Sequence, residues 1–403
     1  MKINIFFISL IAIIIAPGAY VVYSGIYSYS FGAMLSSLFV ISIYFLNYKN
    51  IKLDKSHLYI FLTLVLFFLI SIYSYLLFDW FDFERFLLSY LLLMINLIAC
   101  TFFVALSQKI SDDKLYKYIT IIFYIIAIDG VAFLIYKIFN PRSTEPWLTF
   151  FPEVSHFSLI FLPLLLFKLL SCKNNLYAYS LIIGSLIIVM NIQNLTMLVG
   201  LFFVMLIYSI RKSLIIFFIP IVIFVLLIGI DIENLVYYTD RLQLNDTENI
   251  SALVFLSGWE RALLNISENS LFGIGFNQLG YDGKIGDYQN KIIDFGLSDL
   301  NMKDGGSLAP KLVAEFGFLG IILLAIYLVF FFKLLYKHKI KRFTYNFNYL
   351  DTFYYSIFMM SFVCIFLRNS GYFSPIIFLL LSSIIYLIKQ NINGYSTPTK
   401  KKT

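Results

Sequence analysis

Four arginines and one carboxylate–imidazole pair are the residues of this chain whose types and positions suit reaction chemistry. Arg241 and Arg261 stand twenty residues apart in the one long polar interval of an otherwise apolar sequence. Arginine presents a planar fork of donors that matches phosphate and keeps its charge at any working pH. Two of them near a membrane surface would grip a diphosphate, or they pair with loop acids such as Asp240, Glu248 or Glu260 and fold the loop. Glu153 and His156 lie in the run Pro-Glu-Val-Ser-His at 152–156. The imidazole titrates near neutral pH and can serve as a base, with Glu153 orienting it or acting as base itself. The same run also suits a helix start, with Glu153 and Ser155 capping a span that begins at Phe157. Arg142, near Glu145, precedes that run and offers one more cation to a diphosphate. Arg368, in Arg-Asn-Ser-Gly-Tyr-Phe-Ser, sits at the end of an apolar span. An arginine there faces a watery cavity, meets a phosphate, or snorkels to the interface.

Other polar residues stand inside apolar runs. Asp129 is beside Gly130 in mid-span, and could line a polar cavity with Asn191, Gln193 and Asn194 or sit neutral and hydrogen-bonded. Lys311 and Glu315 are four residues apart, so a helix places them one turn from each other and able to pair. His57 and His338 fall among lysines and read as solvated. The three cysteines, Cys100, Cys172 and Cys364, lie in or beside apolar runs without metal spacing and read as small apolar packers. The chain contains no zinc motif, serine triad or Walker loop, and the lone Gly-Ile-Gly at 273–275 follows no strand of a nucleotide-binding unit. No metal or other cofactor is expected.

These residues must be positioned by membrane helices. Of 403 residues, 60% are hydrophobic and 13% charged, and the mean hydropathy is +0.85. A soluble domain carries about 25% charge, so lipid is the expected solvent for most of this chain. The net charge of +7 arises from lysine and arginine clusters between apolar runs, a pattern that orients membrane proteins rather than one that binds nucleic acid. The expected fold is all-α and polytopic, with about twelve spans: 3–23, 29–48, 57–78, 86–107, 118–139, 157–171, 176–191, 195–210, 213–230, 307–332, 352–367 and 374–389. Four of these are short for the roughly 20 residues a bilayer needs, so eleven also fits. The N-terminal run reads as an uncleaved first span, because Pro17 and Gly18 make a poor cleavage site.

With the N-terminus in the cytoplasm, alternation gathers 20 of the 30 basic residues on the inner side. This positive-inside pattern puts both termini in the cytoplasm. The chain then divides into nine spans over 1–230, a large outer loop over 231–306, three spans over 307–389 and a cytoplasmic tail over 390–403. Inside the loop, Ala252, Phe255, Leu256, Trp259, Leu263 and Ile266 recur at helical spacing, with Glu260, Arg261, Asn265 and Glu268 turned away. That segment predicts an amphipathic helix, with Ser251 as its N-cap, lying on the membrane or across the mouth of the bundle.

Four segments, in this order, carry a resemblance: FFPEVSHFSL, SALVFLSGWERALLNISENSLFGIGFNQLG, DGGSLAPKLVAEFGFLGI and FLRNSGYFS. Together with the twelve-span outline they resemble bacterial O-antigen polymerases, the Wzy proteins, which are related to O-antigen ligases. In the first segment Val154 stands where the family usually has proline. The resemblance implies a GT-C-like glycosyltransferase of the bacterial inner membrane, working at the periplasmic face without metal. It would join oligosaccharide repeat units carried on undecaprenyl diphosphate, with a chain-length regulator protein as a further partner. It assigns the donor diphosphate to Arg241 and Arg261, with Arg368 adding to them, and the acceptor hydroxyl to Glu153 or His156. Ligases usually place a histidine at the start of the span after the large loop; this chain has Ser307 there, which favours a polymerase. A ligase and a lipid-linked oligosaccharide flippase are the other functions these features admit.

Overall fold

The computed structural model describes residues 4–26, 28–48, 55–140, 149–211, 239, 241, 248–268, 271–297, 300–340, 348–368 and 371–392. Among them every regular element is a helix. In chain order these are α1 (Ile5–Ile14), α2 (Ala16–Ser24), α3 (Tyr29–Asn47), α4 (Lys55–Leu77), α5 (Phe83–Ser107), α6 (Asp112–Phe139) and α7 (Val154–Ser171). There follow α8 (Asn175–Ile192), α9 (Leu195–Arg211), α10 (Ile250–Glu268), α11 (Asp287–Asp294), α12 (Leu308–Ile340), α13 (Tyr349–Phe366) and α14 (Pro375–Ile392). Eight are long and apolar enough to cross a membrane, and α1 with α2, bent by 42° at the break, makes a ninth if the pair counts as one span. Two shorter apolar helices are seen at Leu195–Ile210 and Pro375–Gln390. The span expected at 213–230 lies outside the described residues. So do the tail from 393 on, Arg142 and Asp240.

The helices sort by sequence into an inner and an outer set. From Phe157 to Leu170 every residue of α7 is buried. This helix packs against α13 and α9, while α3 and α14 pack on α5. A helix apolar all round belongs in the interior of the bundle. By contrast α4 and α12 expose Leu58, Phe61, Leu69, Leu76, Ile322, Val329 and Phe332. In a membrane these faces meet acyl chains. Cys100 and Cys364 are buried in the apolar core, as their surroundings in sequence suggest.

Two expectations change. His338 is not solvated: it is buried within α12 and stacks on Tyr355, with ring centroids 4.6 Å apart. Lys168, which the charge pattern grouped with the orienting lysines, is buried near the end of α7. Its Nζ donates to Tyr116 Oη at 2.9 Å and Thr120 Oγ1 at 3.1 Å. Both helices extend further than their apolar cores, which carries these side chains into packed surroundings.

The long helix α12 is broken at Gly317, where φ is +53° and ψ is −128°. The break frees carbonyls that the next turn would have bonded. The Gly-Ile-Gly segment supplies replacements: Ile274 N–H donates to Ala314 O at 3.1 Å and Gly275 N–H to Glu315 O at 2.9 Å. In return, Phe318 N–H donates to Leu271 O at 2.7 Å. Buried backbone groups need such partners, above all at membrane depth. The same segment is held from the other side by α4. Ser71 Oγ accepts from Phe276 N–H at 3.0 Å, and Ser74 Oγ donates to Gly273 O at 3.2 Å. Residues 271–282 are thus threaded between α4, α5 and α12.

A side chain at 317 has no room: its Cβ would lie 2.1 Å from Leu271 O, and the backbone angle suits only glycine. Gly317→Ala is expected to destabilise the fold by more than about 1–3 kcal/mol. A drop in the unfolding temperature of the detergent-purified protein would register it; an unchanged transition would show that α12 can run straight.

Candidate functional site

A cavity of about 920 Å³ opens where the N-terminal ends of α3, α5, α7 and α12 meet the segments before α12 and between α13 and α14. Its charged lining is Asp82, Glu84, Arg85, Glu153, Lys303, Asp304, Lys311 and Arg368, with His156 and Tyr29 beside them. A void of this size lies in the range that holds a small-molecule ligand.

Glu153 and His156 here meet Arg368, more than two hundred residues further along the chain. Arg368 Nη2 lies 2.9 Å from Glu153 Oε2, and His156 Nε2 lies 3.9 Å from the same oxygen. Ser155 Oγ donates to it at 2.9 Å. Glu153 occupies the N-cap position of α7, and its carbonyl accepts from His156 N–H and Phe157 N–H. Its carboxylate makes no cap bond and turns to Arg368 instead. The backbone of Glu153 thus starts the helix, while its side chain pairs with Arg368. Burial opposes ionisation of this carboxyl. The neighbouring His156 ring, the Arg368 guanidinium and the hydrogen bonds from Arg368 and Ser155 outweigh that and hold it down at about 2. The opposite ring nitrogen, His156 Nδ1, is 2.9 Å from Tyr29 Oη. Tyr29 begins α3 and was not signalled by any motif.

Behind this group lies a second carboxylate. Lys311 and Glu315 pair as their spacing predicts, Nζ to Oε1 at 3.3 Å, and both are fully buried. Glu315 accepts from Tyr372 Oη at 2.6 Å, Asn277 N–H at 2.9 Å and Leu279 N–H at 3.2 Å. Burial and the Glu315 charge together push the Tyr372 phenol well above its usual range, so it remains a donor. Lys311 also donates to Lys303 O and lies 5.0 Å from the centre of the Tyr372 ring. This network ties α12 to the 271–282 segment and the α13–α14 connection.

The loop arginines are placed differently. Arg261 is buried in α10, where Nη2 is 3.1 Å from Asp282 Oδ1 and Nη1 donates to Met302 O at 2.5 Å. Asn265 Nδ2 donates to the other Asp282 oxygen at 2.8 Å. Arg261 thus pairs with an acid of the loop, Asp282, while Glu260 caps α11 through Asp287 N–H and Tyr288 N–H. Arg241 is half-buried and, like Arg261, is absent from the cavity lining. Arg142 lies outside the described residues.

The buried face of α10 also differs from the apolar one. Leu253, Val254, Ser257, Gly258, Arg261, Ala262 and Asn265 are buried, whereas Leu263 is 64% exposed. The helix starts at Ile250, capped by Asn249 Oδ1 rather than Ser251. The cause lies in the partner surface. Gly258 lets α10 approach Gly305 so closely that a Cβ would stand 2.1 Å from its carbonyl oxygen. The Arg261–Asp282 pair then fills the contact. If this pair is structural, Arg261→Met will cost about 3–5 kcal/mol by leaving Asp282 buried and unpaired. Adding Asp282→Leu will recover most of that loss. Thermal unfolding of the four-protein cycle checks it, and no recovery in the double variant would contradict the structural role.

Asp129 is hydrogen-bonded inside the protein. It is buried, and its Oδ1 accepts from Thr149 N–H at 2.9 Å and from Thr149 Oγ1. It thereby ties down the residues leading to Glu153. No group of three or more histidine, cysteine or carboxylate residues suited to a metal ion is found among the described residues. No protein-family model, curated protein or solved structure matches this chain.

Proposed function

We propose that this chain is an O-antigen polymerase of the bacterial inner membrane, a glycosyltransferase that joins oligosaccharide units carried on undecaprenyl diphosphate. The observation that carries the reading is the meeting of Glu153, His156 and Arg368 in one large cavity with Arg85, Lys303 and Lys311. Carboxylate, imidazole and cations in one open chamber suit an acceptor hydroxyl and an anionic leaving group. The all-helical bundle and its apolar spans support a polytopic membrane protein; the reading adds a GT-C-like architecture, both termini in the cytoplasm and the cavity on the periplasmic side.

In the reaction the anomeric carbon–oxygen bond to the diphosphate breaks, and its electron pair leaves on the diphosphate. The acceptor hydroxyl oxygen bonds to that carbon and gives up its proton. The free Glu153 Oε1 accepts a hydrogen bond from the acceptor hydroxyl, while Arg368 fixes the carboxylate. A carboxyl that ionises so readily is a weak base, so its role is to orient the hydroxyl and stabilise the charge that grows on the sugar ring. The proton passes to the departing diphosphate or to His156, whose Nδ1 lies 2.9 Å from Tyr29 Oη.

The surface polysaccharide of a deletion strain tests the reading. A polymerase deletion leaves one repeat unit attached to the lipid A core. Cores with no repeat at all would identify a ligase, and units trapped on the cytoplasmic face would identify a flippase.

A further inference from the structure

Of the cavity's cations, Arg368 is matched by Glu153 and Lys311 by Glu315. Arg85 and Lys303 are not matched. Neither has a carboxylate oxygen within 4.0 Å among the described residues, although both line the cavity. Instead they crowd one aromatic ring: the Arg85 guanidinium carbon is 4.2 Å and Lys303 Nζ 4.9 Å from the centre of Tyr281. Two like charges at one ring repel each other, and an anion between them would remove that cost.

Arg85 is also built in place. Its Nε donates to Asn277 O at 2.7 Å, Nη1 to Tyr281 Oη at 2.5 Å, and Nη2 reaches Asn277 Oδ1 at 3.5 Å. Asn277 is in turn held by Ser89 Oγ at 2.6 Å. A guanidinium positioned by neutral oxygens keeps its full charge for a ligand. The Lys303 side chain is exposed and can reach the same ligand.

The surroundings of Arg85 specify more than an anion. Leu88 and Leu92 follow it at helical spacing on the same face of α5, and both line the cavity. Leu88 is 60% exposed on the outside of the bundle. A cation at the mouth with an apolar track leading from it toward lipid fits a headgroup with its hydrocarbon chain attached.

We propose that Arg85 and Lys303 form the subsite for the diphosphate of a polyprenyl-diphosphate ligand, with the prenyl chain leaving along Leu88 and Leu92. The assignment rests on the glycosyl-transfer reading for its ligand and moves the diphosphate from Arg241 and Arg261 to the other side of the loop.

Binding of farnesyl diphosphate, inorganic pyrophosphate and farnesol to the detergent-purified full chain tests it. Farnesyl diphosphate is expected to bind more tightly than either of the others. Lys303→Glu, whose side chain makes no hydrogen bond that folding needs, is expected to weaken farnesyl diphosphate about tenfold or more without changing the unfolding temperature. Arg85→Gln is expected to weaken farnesyl diphosphate by a similar factor, and Arg85→Lys to recover part of the affinity. Wild-type affinity in Lys303→Glu and Arg85→Gln would overturn the subsite while leaving the polymerase reading to its polysaccharide test. Pyrophosphate binding as tightly as farnesyl diphosphate would overturn the lipid track.

Discussion

On the polymerase reading, Glu153→Gln will leave the protein inserted and folded, yet cut chain extension by about 10²–10³-fold, the range expected when one preorganised electrostatic contact to the transition state is lost. The amide still fits beside Arg368 and Ser155 but no longer carries the charge that both are arranged around. Surface polysaccharide should collapse to a single repeat unit in cells that retain normal amounts of the variant in the membrane. Long chains at ordinary abundance would exclude Glu153 from the chemistry. The pH dependence gives a second check. The carboxyl is held at about 2, well below the ordinary glutamate range. Its folded value is depressed, so its charge, and the contact with Arg368, are present throughout the neutral range and disappear only as the pH falls toward 2. Titration between pH 8 and 5 should therefore show no loss of activity through Glu153. Any limb in that window belongs to another group.

The second large effect is on stability. Glu315→Ala removes the acceptor for Tyr372, Asn277 N–H and Leu279 N–H, and strands the Lys311 ammonium in a buried site. Breaking a buried, hydrogen-bonded ion pair from one side costs about 3–5 kcal/mol. The purified variant should unfold at a clearly lower temperature and lose protection from protease within 271–282. The partner substitution Lys311→Met, made on top of Glu315→Gln, should restore part of the stability, because the uncompensated charge is then gone. An unaltered transition in Glu315→Ala would mean that this carboxylate is not what joins the loop to the bundle.

The sequence was most informative where chemistry and position coincided. Glu153, His156 and Arg368 are polar residues at the ends of apolar runs, and alternation puts all three at one end of the bundle. Lys311 and Glu315 announce their pairing by a spacing of four. The loop was less legible. In α10 the apolar stripe predicts one buried face, but the close approach at Gly258 and the Asp282 carboxylate select another. Neither can be seen without knowing what lies opposite. Arg85 gives no signal in the sequence, because the acids beside it in Asp-Trp-Phe-Asp-Phe-Glu-Arg look like its natural partners. In the fold Asp82 turns to cap α5 through Arg85 N–H, and the Arg85 guanidinium reaches Asn277 and Tyr281. The break at Gly317 gives no local sign, since one glycine in a long apolar run is unremarkable until a second segment is laid against it.

That break has a consequence for exchanging parts between proteins of this kind. The 271–282 segment completes the backbone of α12 and is completed by α4, α5 and the α13–α14 connection. The region between two spans is therefore the wrong unit of transplantation. A chimaera cut at the helix ends would bring in a loop whose amides face the carbonyls of a foreign helix. The interchangeable module is a sandwich drawn from four places in the chain: the α4–α5 corner, the loop from Ile250 onward, the first turns of α12 through Phe318, and the turn around Tyr372. Specificity would travel with that composite and not with the loop alone.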